Sequence, residues 1–205
     1  MDDYICCSST TWGSHLSLLE NTSKALQAGG FTLKPSKVQV GPKEVKYLGH
    51  ILSADGIRLG EDRIKAVLDL PTPTNIKELR PVLGMVNYAR KFTPNLAAIT
   101  APLVDLTKNE AVKSVSKRWG PEHDKAFAEI KRLLTKAPVL HFPDFSKEFV
   151  FHVDASETGA GAFLAQKNGE DLNIIAYFSQ RFNPSQRHYS ATMKEYYAVV
   201  LAIPR

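Results

Sequence analysis

Two acidic residues in the second half of the sequence have the flanks expected of metal ligands. Asp154 follows an alternating run from Phe149 to Val153 and precedes Ala155-Ser156, so its carboxylate should stand where a strand gives way to a turn. Glu195 lies in an apolar helical pattern and would meet Asp154 if that helix packs over the sheet. Magnesium prefers hard oxygen ligands, and two such carboxylates could hold metals for in-line attack on a phosphodiester. Without further context, a strand-end Asp is often a turn former and a helical Glu is often merely solvated.

Asp2 and Asp3 are a second possible metal pair. They stand at the start of a predicted strand from Asp3 to Ser8, where adjacent side chains point to opposite faces. Acids near a terminus are usually surface solubilisers, so this pair is a weak signal by itself.

The elements that must position these acids follow from periodicity. Trp12 to Ala28 has a helical apolar face, with Thr11 or Ser14 as the cap and Gly29-Gly30 as the stop. Asp55-Gly56 between apolar residues predicts a hairpin over Ile51 to Leu59. Short β-like runs are predicted at Phe31–Leu33, Val38–Val40 and Val45–Leu48.

The middle of the chain is predicted to be helical. A short helix around Ile64 to Leu68 should end before Pro71, and Thr74 can cap a second helix. Pro121 suits the first turn of a third helix. The stretch from Lys108 to Lys117 is polar and weakly patterned, which is typical of a linker.

The last part turns to β structure and then to helix. Three strands are predicted at Phe149–Val153, Gly161–Gln166 and Ile174–Ser179, and Ser190 should open a final helix. Strands covered by a helix indicate a layered fold of the α/β (α+β) class.

Composition excludes several classes of protein. With 43% hydrophobic and 23% charged residues over 205 positions, the chain should fold into one or two domains. A net charge of +5 is compatible with a polyanionic partner but does not demonstrate one. Cys6 and Cys7 are adjacent, with no zinc-ligand spacing, which fits a reducing intracellular compartment. There is no apolar run of membrane-spanning length and no signal-peptide pattern, so no membrane partner is expected.

Short motifs follow one another in a recognisable order along the chain. Met1-Asp2-Asp3 resembles the tail of the Tyr-x-Asp-Asp signature of reverse transcriptases, and Tyr47-Leu48-Gly49-His50 resembles their primer-grip hairpin. The segments that resemble the thumb of these reverse transcriptases are Leu79-Arg80, Leu83-Gly84 and Asn87 to Phe92. The segments that resemble the RNase H domain are Trp119, Ala126-Phe127, Leu133-Leu134, Pro138 to Leu140, Pro143-Asp144, Asp154 to Ser156, Gly159 to Gln166, Ala176-Tyr177, Tyr189 and Lys194-Glu195. These motifs cover essentially the whole chain in order, and their succession resembles the pol polyprotein of gypsy-type long-terminal-repeat retrotransposons.

The resemblance implies three segments. Residues 1–59 would be the end of the reverse-transcriptase palm with its primer-grip-like hairpin, 60–115 the helical thumb or connector, and 116–205 the start of an RNase H-like domain with a mixed sheet and helices. The parent enzyme would be an RNA-directed DNA polymerase with ribonuclease H activity, using Mg2+ at both sites. Its partners would be primer–template, RNA–DNA hybrid and the remaining pol segments, in the cytoplasm or in retroelement particles.

The resemblance also assigns residues. Asp2, Asp3, Asp154 and Glu195 match catalytic acids, of which Asp2, Asp154 and Glu195 would be metal ligands. Nucleic acid would be contacted by Tyr47, Leu48, Gly49, His50, Arg90 and Lys91.

Some features depart from the family pattern. The palm's other metal-binding Asp and the remaining nuclease acids are expected outside this sequence, so each site should be incomplete and the isolated chain inactive. Pro81 falls within a predicted thumb helix, and Ala89 stands where an aromatic is usual. The alternative is a non-catalytic nucleic-acid-binding or structural remnant of a retroelement. In vertebrate retroviruses a related domain has lost its acids and serves as a connection, and the presence of both Asp154 and Glu195 argues against that role here.

Overall fold

The computed structural model describes residues 4–8, 11–108 and 115–203, and these form helices and two small sheets. The helices are α1 Trp12–Ala28, α2 Glu61–Leu68, α3 Ile76–Tyr88, α4 Leu96–Ile99, α5 Ala101–Leu106, α6 Pro121–Thr135, α7 Pro184–Arg187 and α8 Ala191–Ala202. The strands are β1 Glu44–Tyr47, β2 His50–Ser53, β3 Gly56–Leu59, β4 Phe149–Ala155, β5 Gly159–Asn168 and β6 Asp171–Arg181. The α+β class predicted from periodicity is confirmed. In the part of the chain that is described, no helix combines the length and apolarity needed to cross a membrane.

The first sheet is an antiparallel meander of β1, β2 and β3. The predicted hairpin is confirmed, but its turn lies one residue earlier than the Asp55-Gly56 signal. Ser53 pairs with Gly56, which leaves Ala54-Asp55 as the two-residue loop. Gly56 has φ +137°, a backbone conformation that residues other than glycine rarely adopt. Beside it, Ile57 and Leu140 exchange backbone hydrogen bonds of 2.7 and 2.8 Å, which join the meander to the segment that precedes the second sheet.

Three predicted strands in the first segment are wrong. Tyr4 to Ser8, Phe31 to Leu33 and Val38 to Val40 have no strand structure, and Pro35–Lys37 forms a single 3-10 turn. A strand requires a partner for its backbone groups, and β-like composition supplies none. Helix α1 forms as predicted, with the Thr11 side chain accepting from the Ser14 amide, yet none of its residues is buried.

Helix α3 begins one residue later than predicted. Its N-cap is Asn75, whose side chain accepts from the Glu78 amide, while Thr74 donates its amide and hydroxyl to the Glu78 carboxylate. The helix continues through Pro81 even though proline supplies no amide hydrogen there. Burial of side chains on either side, including Leu79 and Val82, offsets that loss.

The second sheet was expected to be mixed, but all strand pairs among its described residues are antiparallel. Strand β5 pairs with β4 on one side and with β6 on the other. Helix α8, capped by Ser190 as predicted, packs on one face against Val153, Ala155 and Ala160 through its own Ala198. The opposite face meets the helices of the middle segment, where the Ala97 amide donates to the Ser179 hydroxyl at 2.6 Å.

One large core joins the three predicted segments. It contains Leu59 from the meander, Val86 and Leu103 from the middle helices, and Phe127 from α6, with Tyr177 of β6 packed against it. Side chains on both sides of the predicted boundaries at 59/60 and 115/116 therefore pack into the same core, and the boundaries remain predictions.

The predicted linker holds a buried residue. Val115 has only 1% of its surface exposed, and its amide donates to the Thr74 carbonyl at 3.0 Å. A loop tied to the core in this way does not act as a free spacer. Residues 109–114 lie outside the described part of the chain.

Candidate nucleic-acid interface and carboxylate site

The turn predicted to contact nucleic acid has an unusual backbone. Tyr47 pairs with His50, which leaves Leu48 and Gly49 as a two-residue loop with φ of 48° and 79°. Positive φ at both positions is the pattern of a type I′ turn. Leucine at such a position costs about 1–2 kcal/mol relative to an ordinary conformation. Surrounding contacts must therefore hold Leu48, whose side chain is 62% exposed.

Those contacts come from the end of helix α3. The Tyr88 hydroxyl donates to the Leu48 carbonyl and lies 2.7 Å from Nδ1 of His50. Because the hydroxyl has one hydrogen, both bonds form only if His50 donates from Nδ1. The imidazole is also stacked between the rings of Tyr88 at 4.7 Å and Phe92 at 5.5 Å.

Electrostatics favour a neutral His50. Burial, with the nearby charges of Lys91 and Arg63, lowers the pKa of His50 below its usual 6.5. In the described part of the chain, Nε2 of His50 is buried without a hydrogen-bond partner. A second proton would therefore be placed on a buried nitrogen with nothing to accept it. Burial raises the pKa of Tyr88 against the opposing charge of Arg63, so its hydroxyl also stays protonated.

Cations surround this turn, and several have defined partners. The guanidinium of Arg63 lies 5.6 Å from the centre of the Tyr88 ring, and the ammonium of Lys91 lies 5.3 Å from that of Phe92. Burial lowers the pKa of Lys91 from its usual 10.5. Arg90 is exposed on the same 3-10 turn as Lys91. Positive charge beside an exposed turn is suited to phosphate groups.

Asp154 lies in β4 opposite Gly161. A side chain added at Gly161 would meet Oδ1 of Asn95 at 3.0 Å, so this face of the sheet points at the middle helices. Asp154 shares that face and lines an open cleft with, among others, Asn95, Ser179 and Arg181. The carboxylate is exposed, in agreement with a strand-end position.

Glu195 is exposed on helix α8, which covers the other face of the sheet. Alternation along β4 aims Asp154 away from the face that Val153 and Ala155 share with that helix. The two carboxylates therefore do not share a sheet face. Their assignment as ligands of a shared metal stays a prediction.

The donor chemistry of these acids suits magnesium, but the number of donors does not. Among the described residues, no group of three or more His, Cys, Asp or Glu side chains is placed to hold a metal ion. Magnesium is usually held by carboxylates together with waters and substrate phosphates. The described residues thus do not form a complete metal site, and no reaction step is assigned to one. Asp2 and Asp3 lie outside the described residues.

Two contact sets had no sequence signal. Tyr88 is 40 positions from Leu48 along the chain, and the bidentate pair of Arg181 with Asp105, at 3.0 and 3.2 Å, spans 76 positions. The aromatic at Tyr88 was part of a recognisable motif, but the motif did not show what its hydroxyl contacts. Only tertiary packing brings these partners together.

Comparisons with known proteins agree with this architecture. Residues 119–205 match the family described as an RNase H-like domain found in reverse transcriptase. The chain is 36% identical over 202 residues to the retrovirus-related Pol polyprotein from transposon 297 of Drosophila melanogaster, covering 98% of this chain and 18% of the polyprotein. It is 33% identical over 204 residues to the transposon Tf2-3 polyprotein of Schizosaccharomyces pombe, covering 99% of this chain and 15% of the polyprotein. The chain thus spans less than a fifth of either relative.

Solved structures show the same arrangement. The foamy viral protease-reverse transcriptase in complex with RNA/DNA hybrid matches 96% of this chain and 26% of its own, with a TM-score of 0.83 and 27% identity. The dRH form of that protein in complex with double-stranded DNA matches with a TM-score of 0.80 and 28% identity, over 96% of this chain and 35% of its own.

Proposed function

We propose that this chain holds a nucleic-acid duplex by its backbone, because residues 119–205 match the RNase H-like domain found in reverse transcriptase and nearly the whole chain is similar in sequence to retrotransposon Pol polyproteins. The supporting observation is the match of 96% of the chain to an enzyme in complex with RNA/DNA hybrid. The grip-like turn and the thumb-like helices would contact phosphates, which position a duplex without reading its sequence.

The parent activities are proposed to be RNA-directed DNA polymerisation and cleavage of RNA in a hybrid. Magnesium would supply charge neutralisation and an activated water or hydroxyl when bound. Asp154 and Glu195 would contribute oxygen ligands at the nuclease site. At the polymerase site Asp2 would be the metal ligand, with Asp3 as the second matching catalytic acid. Homology to retrotransposon polyproteins favours action in the cytoplasm or in retroelement particles.

The first test is binding of RNA/DNA hybrid and DNA duplex, followed by fluorescence anisotropy across a salt series. Binding should be weak, independent of sequence and strongly salt-dependent, because bound cations are released from the phosphates. Arg90→Ala/Lys91→Ala should make the log–log salt slope shallower by roughly one unit for each lost phosphate contact.

The matched control is Lys125→Ala/Lys167→Ala, which removes the same charge from exposed positions on α6 and β5. It should leave the slope close to that of the wild type. An equal change in both double variants would show that net charge, rather than the proposed surface, governs binding. A folded wild-type chain that binds neither duplex at low salt would refute the proposal.

A second test separates holding from chemistry. The isolated chain should neither extend a primer nor cleave labelled hybrid RNA in magnesium, because too few protein ligands are available to hold the ion in position. Inactivity with retained binding would match a backbone-holding segment. Magnesium-dependent RNA release abolished by Asp154→Asn would instead show a complete nuclease in this chain.

A further inference from the structure

The exposed turn of the meander is fastened to helix α3 by a relay of hydrogen bonds. With His50 neutral, its Nδ1–H donates to the Tyr88 oxygen at 2.7 Å, and the Tyr88 hydroxyl donates to the Leu48 carbonyl. Hydrogen bonds in such a chain polarise and strengthen one another. The backbone of the turn is thus connected to the end of a thumb-like helix that lies 40 positions away in sequence.

Space around the turn is closed as well. A Cβ at Gly49 would lie 3.0 Å from both the Tyr88 hydroxyl and Nε of Arg63, and φ there is +79°. The Gly49 carbonyl also accepts from the Gly60 amide at 3.1 Å, so the turn is anchored at two points. A side chain at position 49 would therefore force Tyr88 or Arg63 to shift.

This arrangement keeps an unfavourable backbone conformation without burying the residue that adopts it. Bulky residues with positive φ are rare, and they persist where the surroundings over-determine them. Leu48 gains little from burial, because 62% of its surface is exposed. The strain is therefore offset by contacts of the turn's backbone, such as that of the Leu48 carbonyl with Tyr88, rather than by burial of the Leu48 side chain.

We propose that Tyr88 is a positioning residue, which locks the Leu48-Gly49 turn to helix α3 so that the turn meets a duplex backbone in one conformation. The inference rests on the proposed backbone-holding function and adds a residue to it. Tyr88 acts through the turn, since its hydroxyl is already engaged by Leu48 and His50.

The test compares Tyr88→Phe with wild type in the full chain, using RNA/DNA hybrid as the probe. The change removes both hydrogen bonds and keeps the ring that stacks on His50. If one net hydrogen bond holds the turn, its loss lowers the population of the binding-competent turn and raises Kd about two- to tenfold. The salt slope should not change, because no charge is removed.

Hydrogen exchange reports on the turn separately from binding. The Gly60 amide should exchange faster in Tyr88→Phe, whereas amides within α6 should be unchanged. Tyr196→Phe is the matched control, because it removes the same group from a ring that is 70% exposed on α8. That control should retain wild-type affinity and exchange.

The outcomes are distinguishable. Wild-type binding with unchanged affinity in Tyr88→Phe would overturn this inference alone, even if the Gly60 amide exchanged faster. Absence of binding by folded wild type would overturn the proposed function and this inference with it. If Tyr88→Phe melts several degrees lower, Gly49→Ala decides, because it disturbs the turn and keeps the hydroxyl: weakened binding supports the inference, and wild-type affinity overturns it.

Discussion

Gly56→Ala should be among the most destabilising single-methyl additions in this chain. An added Cβ would lie 2.0 Å from the Leu140 carbonyl oxygen, far inside van der Waals contact. The backbone at Gly56, with φ +137°, is also a conformation that alanine rarely adopts. Relief requires the two backbones to separate, which breaks the paired hydrogen bonds between Ile57 and Leu140.

The magnitude follows from these two costs. Backbone strain of this kind is worth of order 1–3 kcal/mol. Two backbone hydrogen bonds contribute about 0.5–1.5 kcal/mol each. The free energy of unfolding should therefore fall by about 2–6 kcal/mol, and Tm by roughly 5–20 °C for a chain of this size.

Gly169→Ala is the control that separates strain from collision. Gly169 also has positive φ, at +66°, but no atom lies within 4 Å of the added Cβ. It should cost only about 1–2 kcal/mol of strain. Thermal melting and hydrogen exchange of the Ile57 amide measure both variants. The reasoning fails if Gly56→Ala melts within a degree or two of Gly169→Ala and keeps that amide protected.

Three further predictions concern stability. Gly84→Ala, at an exposed position of helix α3 with nothing within 4 Å of the added Cβ, should raise the free energy of unfolding by about 0.5–1 kcal/mol, measured by denaturant titration. Burial, followed by the charges of Lys91 and Arg63, lowers the pKa of His50. The stabilising contribution of His50 is therefore complete above pH 6.5 and is lost as pH falls through the lowered pKa. Thermal melting from pH 8 to 5 should show a fall in Tm that is smaller in His50→Asn. Burial opposes ionisation of Asp105, but hydrogen bonds from Arg181 and Lys108 outweigh it and hold the pKa of the carboxyl below 3.8, so this contribution is present above pH 3.8 and lost as pH falls through the lowered value. Arg181→Gln should make Tm fall less steeply as pH is lowered into the acid range. An unchanged acid dependence of Tm would contradict the role given to the Arg181–Asp105 pair.

Local signals in the sequence determined much of the secondary structure. Thr11 and Ser190 cap their helices as predicted, and Pro121 begins α6. The hairpin within Ile51 to Leu59 forms as predicted, although its loop is Ala54-Asp55 rather than Asp55-Gly56. The three later strands also form where alternation indicated. These features depend on groups within a few positions of each other, so the sequence alone specifies them. The motif order likewise indicated the retrotransposon Pol polyproteins, to which the comparisons show homology.

Tertiary structure decided what local pattern could not. Phe31 to Leu33 and Val38 to Val40 have strand-like composition but remain irregular, because a strand forms only where another backbone pairs with it. Val115, placed in a predicted linker, is buried because the chain returns to the Thr74 carbonyl.

The candidate sites show the same division. Residue types and motif order nominated Leu48, His50, Asp154 and Glu195, but they did not show which groups face each other. Strand register put Asp154 on the face toward the middle helices, and packing brought the Tyr88 hydroxyl to the turn. Both outcomes depend on contacts between residues distant in sequence, whose geometry is set only when the shared core closes.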